Sequence, residues 1–266
     1  MPLITSKMPD SWEELEEIVA DILREAGMES NRTVSVKLPR GSVDIDVLAK
    51  ETSDGIHNVV ICECKNWKHN IPKEIVHAFR TVMHEIGANR GYIISRVGFQ
   101  SGAYEAAEAT NINLVTFQEF QELYFAKWYK ARLWQVERRI GNFNTYYEPL
   151  GRPGFDLLET DEERDAYVEV WNVYAFAGVL MMYFSPWTGM AGQELLPPPL
   201  PIPVEKLEAE GYPVPDFIRN ETGYQELLAM LEEIAIEGLD ELRKVNPITR
   251  GRDPETIDRD EYPPND

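Results

Sequence analysis

Only two of the 266 residues are cysteine, Cys62 and Cys64, and they stand two positions apart. On one extended segment their side chains point the same way, a poor geometry for a disulfide. No C-x-x-C pair or Cys/His cluster suggests zinc, and His57, His69, His77 and His84 lack a ligand-like arrangement. A disulfide-built secreted domain is therefore excluded, and a reducing, cytoplasmic setting is expected. Cations are scarce as well: 26 Lys and Arg stand against 46 Asp and Glu, a net charge of −20. That balance argues against tight, non-specific binding of a polyanion by the isolated chain. The acidity is uneven, with 12 basic and 18 acidic side chains in residues 1–120 but 14 and 28 in residues 121–266. No G-x-x-x-x-G-K-[ST] loop occurs, so a nucleotide-driven motor would have to be a separate chain. The first residues, Met1-Pro2-Leu3-Ile4-Thr5-Ser6-Lys7, lack an apolar h-region, and no signal peptide is expected. Val170 to Gln193 is free of charge, yet Asn172, Ser185, Pro186, Thr188 and several glycines interrupt it, which predicts a buried helix plus loop and no membrane span.

What is present reads first as an α/β pattern. Ser11 and Glu14 resemble a capping box, and Leu15, Ile18, Val19, Ile22 and Leu23 recur at helical spacing until Gly27. Thr33 to Leu38, Ser42 to Lys50 and His57 to Trp67 read as three strands, joined by turn signals at Pro39-Arg40-Gly41 and Ser53-Asp54-Gly55. A helix with Ile75, Val76, Phe79, Val82, Met83 and Ile86 follows, then a strand at Tyr92 to Ser95, an alanine-rich helix at Ser101 to Thr110, and a strand at Ile112 to Phe117. The order is α-β-β-β-α-β-α-β: an antiparallel meander, then a fourth strand added in parallel, giving a mixed central sheet. Beyond it the sequence is mainly helical. A long helix from Gln118 to about Ile140 carries Phe120, Tyr124, Phe125, Trp128, Tyr129 and Trp134 among lysines and arginines. Such aromatics serve more often as core or dimer interface than as stacking platforms for bases. Further helices are expected at Glu162 to Phe184 and Glu221 to Lys244, with a stiff proline-rich connector at 196–203 and an acidic, disordered tail at 251–266.

The chemistry-bearing feature is Glu63-Cys64-Lys65, which closes the apolar run Val59-Val60-Ile61-Cys62. Strand alternation projects Glu63 and Lys65 together and Cys64 away. A carboxylate and an amine at the end of a buried strand are costly without a partner. The neighbouring strand, Ser42 to Leu48, offers Asp44 and Asp46 on one face. Two carboxylates and a lysine on paired strands are a way to hold Mg²⁺ beside a phosphodiester.

In that order, several pieces resemble the Mrr-type restriction endonuclease domain of the PD-(D/E)xK nuclease superfamily. They are Trp12-Glu13-Glu14-Leu15, Asp46-Val47-Leu48-Ala49, Glu63-Cys64-Lys65 with Asn66-Trp67-Lys68, Gly91-Tyr92-Ile93-Ile94-Ser95, Gly98-Phe99, and Ala103 through Ala107. The likeness covers residues 10–120 and departs where the family often shows Asp-Gly-Gly-x-Asp; here stands Arg40-Gly41-Ser42-Val43-Asp44-Ile45-Asp46. Either Asp44 or Asp46 fills the acidic position, and the Asp-Val-Leu-Ala continuation favours Asp46.

The resemblance implies a restriction-endonuclease-like fold over residues 1–120 and a Mg²⁺-dependent DNA endonuclease, with Mn²⁺ substituting. It implies Asp46 (or Asp44) and Glu63 as metal ligands, and the Cys64 backbone carbonyl as a third. Lys65 would orient the attacking water, and Glu13 would reach a second metal or a metal-bound water. Restriction of foreign DNA is the implied role. The alternative is a nuclease-fold scaffold that binds nucleic acid or a partner without cutting. Residues 121–250 are expected to serve oligomerisation or partner binding. The net acidity suggests that DNA binding depends on a homo-oligomer or on a separate partner protein.

Overall fold

The computed structural model describes residues 3–38, 41–53, 56–147, 151–187, 195–252 and 257. Parts of both expected turns (Pro39 and Arg40; Asp54 and Gly55) and nearly all of the expected acidic tail lie outside the described residues. The chain divides into two compact units, residues 1–132 and 133–266.

The first unit is a five-stranded mixed sheet between two helical layers. Helix α1 (Trp12–Glu25) starts at Ser11, whose hydroxyl accepts from Glu14 N, and Gly27 at φ 88 follows its end. Strands β1 (Glu29–Leu38), β2 (Gly41–Ser53) and β3 (Ile56–Lys65) form an antiparallel meander. Helix α2 (Lys73–Ile86), strand β4 (Arg90–Ser95), helix α3 (Ser101–Ala107) and strand β5 (Ile112–Thr116) follow. β4 and β5 add in parallel, so the strand order is β1-β2-β3-β4-β5. This is the restriction-endonuclease-like α/β core expected from the sequence.

Alternation along the strands assigns the layers. Ile61 and Ile93 face α2 and α3, packing with Val76, Phe79, Met83 and Ala103. On the other face Tyr92 meets Phe120 and Tyr124 edge-on, at centroid distances of 5.5 and 5.7 Å. Those two rings belong to α4 (Phe117–Arg139), and α1 packs on β1 to β3. Trp128 of α4 donates to Glu25 at 2.7 Å. Phe120, Tyr124, Phe125, Trp128 and Tyr129 are all buried, so these five aromatics are spent on core, not on bases.

Strand β1 begins four residues earlier than its alternation predicts, because Glu29 to Arg32 pair with Val47 to Lys50 although their own pattern is polar. Helix α3 ends earlier than predicted: Ala109 takes φ 58, which an α-helix cannot continue through.

The second unit is helical. α5 (Asp161–Tyr183), opened by a capping box at Thr160 and Glu163, packs against α8 (Tyr224–Val245). Two short helices, α6 (Glu205–Ala209) and α7 (Asp216–Arg219), stand between them in sequence, and the proline-rich connector shows no helix or strand over 196–203. Gly178 lies so close to Tyr147 that a Cβ there would stand 2.2 Å from the ring. Among the described residues no helix is long and apolar enough to cross a membrane.

Candidate active site

The site arises where two strands part. The β2–β3 ladder runs from Ser53↔Ile56 to Val47↔Cys62 and stops, so Asp46 and Glu63, next in register, are not paired. On its other side the β1–β2 ladder also skips Asp46: Arg32↔Val47 is followed by Val34↔Ile45. The residue passed over, Thr33, sits at φ 52. A β-branched side chain in that region is strained, and such strain gathers at functional sites.

Parting frees backbone groups, and a side chain takes one of them. Lys65 O accepts from Arg96 N toward β4, so by alternation the Cys64 N–H faces β2. There it donates to Asp46 Oδ2 at 2.8 Å. The Cys64 carbonyl projects from the same edge, while its thiol is buried in the core. Lys65 Nζ stands 2.5 Å from Glu63 Oε1 and 3.7 Å from Asp46 Oδ2. One ammonium thus lies within reach of both carboxylates.

The loops after β3 and β4 brace this edge. Ser95, fully buried, accepts from Val97 N and Gly98 N and donates to Gly98 O. Gly98 takes φ 113, open to glycine, and its carbonyl accepts from Ile71 N at 3.0 Å while Phe99 enters the core. The Ile-Ile-Ser and Gly-Phe segments therefore build the support on which Lys65 ends its strand.

Burial sets the electrostatics. The Glu63 carboxyl is pushed above its ordinary value by burial and then by Asp46, against the pull of Lys65. Burial alone would lower Lys65, but Glu63 and Asp46 outweigh it and its pKa is raised. A third acid joins them: Glu16 of α1, 3% exposed, is raised by burial and by Asp46. Glu16, Asp46, Cys64 and Lys65 line one cleft of about 380 Å³, together with Asp10, Ser11, Trp12, Asn66 and Trp67.

Sequence reasoning singled out Asp46, Glu63, Lys65 and Cys64, and the structure brings these together. Asp44 is exposed, opposite Ser35 in the ladder, and Glu13 is half-buried with its charge acting on Arg32. Among the described residues no hydrogen bond or ion pair joins either to Asp46, Glu63 or Lys65. Glu16 was missed. Its signal was its spacing: it stands three and four residues before Val19 and Ala20, both buried, so it lies on the inward face. Asn66 was also missed as a cleft residue, and its Oδ1 is buried without a hydrogen-bond partner among the described residues.

The donor set fits a hard divalent cation. Mg²⁺ takes oxygen ligands, keeps several waters and needs only one or two protein carboxylates. Among the described residues no group of three or more His, Cys, Asp or Glu side chains is arranged to hold a metal ion. A metal here would therefore rest on Asp46, Glu63, the Cys64 carbonyl and water.

Residues 8–124 match the family model Mrr_cat, described as restriction endonuclease. No curated protein matches the chain. A solved structure, the crystal structure of a protein of unknown function, AF1548, is 17% identical and covers 88% of this chain and 97% of that one, at a TM-score of 0.35.

Proposed function

We propose, from the match of residues 8–124 to the restriction-endonuclease family model, that the chain is a Mg²⁺-dependent nuclease that hydrolyses DNA phosphodiester bonds. The observation that carries this reading is the convergence of Asp46, Glu63 and Lys65 where β2 and β3 separate. Asp46 and Glu63 hold the cation, with the Cys64 carbonyl beside them; Mn²⁺ substitutes. When bound, the metal polarises a non-bridging phosphate oxygen and lowers the pKa of water. Asp46 is oriented by the Cys64 N–H, which fixes one carboxylate oxygen and leaves the other for the cation. Lys65, paired with Glu63 and within reach of Asp46, would orient the attacking water and stabilise the charge that develops on phosphorus. Glu16, whose carboxyl is raised by burial and then by Asp46, replaces Glu13 as the helix-borne acid of the site and would hold a water beside Asp46.

The biological reading is restriction or defence against foreign DNA in the cytoplasm, where the buried thiols of Cys62 and Cys64 remain free. Residues 121–250 are assigned to oligomerisation or partner binding, which would gather basic surface that the single chain lacks. The non-cleaving scaffold remains the rival, and a nicking assay separates the two. Supercoiled plasmid is incubated with Mg²⁺ or Mn²⁺ and the wild-type chain, Glu63→Ala or Lys65→Ala. Each substitution is expected to lower the nicking rate by about a hundredfold or more, the effect of removing one preorganised charged group. Equal cleavage by all three proteins would overturn the assignment.

A further inference from the structure

The cleft that holds the acids is walled by two indoles that the hydrolytic chemistry does not use. Trp12 is 53% exposed, a large apolar surface left in water at the mouth of a polar cleft. It is held firmly. Ser11 Oγ accepts from Glu14 N at 3.1 Å, Ser11 O accepts from Leu15 N at 3.2 Å, and Glu14 Oε2 accepts from Asp10 N at 2.8 Å. Trp67 packs one side against the α2 core and lines the cleft, with the His69 ring 5.0 Å away and tilted by 31°. Asn66 lines the same cleft, and its Oδ1 is buried without a hydrogen-bond partner among the described residues. A carboxamide carries two donors and an acceptor, the pattern that reads the hydrogen-bonding edge of a base.

Resting on the nuclease reading above, we propose that the substrate engages this cleft through an unpaired nucleotide, whose base stacks on Trp12 and Trp67 and is read by Asn66 while its phosphate reaches Asp46, Glu63 and Lys65. The preferred DNA is accordingly single-stranded, or carries an unpaired base at the cut. Charge points the same way. Duplex binding draws on many phosphate contacts made by Lys and Arg, and residues 1–120 hold only 12 of these against 18 acids. Stacking on an aromatic face needs no net positive charge, so it supplies affinity where this chain is poor in the other source. A base inside a duplex presents its face to its neighbours in the stack, and only an unpaired or flipped one can lie against an indole.

The test uses the full chain and a fluorescein-labelled 20-nucleotide DNA, offered single-stranded or as the matched duplex, in EDTA so that anisotropy reads binding without cleavage. Wild type, Trp12→Ala and Trp12→Phe are compared. Trp12 is half in solvent, and unchanged thermal melts verify that the variants are folded. Wild type is expected to bind the single strand more tightly than the duplex. Trp12→Ala should weaken single-strand binding by about tenfold, the effect of losing one base–aromatic stack. It should leave the duplex within about twofold, and Trp12→Phe should restore most of the loss. Single-strand binding no tighter than duplex binding, or indifferent to Trp12→Ala, overturns the proposal. A parallel digestion with Mn²⁺ keeps the two readings apart. Rapid duplex cleavage untouched by Trp12→Ala sinks the unpaired-nucleotide proposal and leaves the nuclease standing. Trp12-dependent binding with neither form cut sinks the nuclease reading alone.

Discussion

Glu16 and Glu63 are acids that the fold holds at a cost. Both have pKa values above the ordinary carboxylate value of 4.5, raised first by burial and then by Asp46. Between 4.5 and those raised values the folded chain binds more protons than the unfolded one, so the stability tied to these groups is greatest at low pH and falls as pH rises through that window. Glu16→Gln removes one charge without changing shape. It should raise the urea midpoint at pH 7, and the gain over wild type should vanish below about pH 4.5, where the acid is protonated in both states. A gain independent of pH, or none, contradicts the electrostatic account. The same substitution should slow nicking, since stabilising a functional acid commonly costs activity. At this scale the sequence was legible where strand alternation decides, as for Glu63 and Lys65. It was ambiguous where alternation repeats, as between Asp44 and Asp46, which only the end of a ladder distinguishes. On α1, whose first turns hold Glu13, Glu14, Glu16 and Glu17, the sequence reading took Glu13, while the buried acid is Glu16, which its spacing to Val19 and Ala20 marks.

At the scale of elements, the site is a property of β2 and β3 ceasing to pair, and of the braces that keep their ends apart. Hydrophobic period and capping signals located the helices and strands of the sheet to within a few residues. The parting of the strands had no signature, since Thr33 at φ 52 is an unremarkable residue in an alternating run. The register of β4 also depends on close packing invisible in one sequence. A Cβ on Gly91 would stand 2.3 Å from Met83 Sδ and 2.6 Å from Phe79. Gly91→Ala is therefore expected to destabilise the chain by about 1–3 kcal/mol through overpacking. Urea denaturation checks this, and an unchanged midpoint would mean that α2 does not seat on β4 as described. Because β4 pairs in parallel with β3 up to Lys65↔Ser95, nicking by folded Gly91→Ala should fall too.

At the scale of the whole molecule, a chain of net charge −20 is read as acting on a polyanion. The contradiction eases if cations enter as bound metal, and if affinity comes from stacking or from a partner's basic surface instead of a long phosphate track. Composition disclosed that tension but not its resolution, which needs the site: Lys65 between Asp46 and Glu63, and a cleft that Asp46 and Lys65 share with two indoles. The central claim, that this pair is a divalent-metal site, is tested most directly by a crystal soaked in Mn²⁺ and measured for anomalous scattering. The account predicts one Mn²⁺ in direct coordination with a carboxylate oxygen of Asp46 and one of Glu63, with Lys65 drawn off Glu63. A peak elsewhere, or none at Asp46 and Glu63 while Lys65 still spans them, would contradict it.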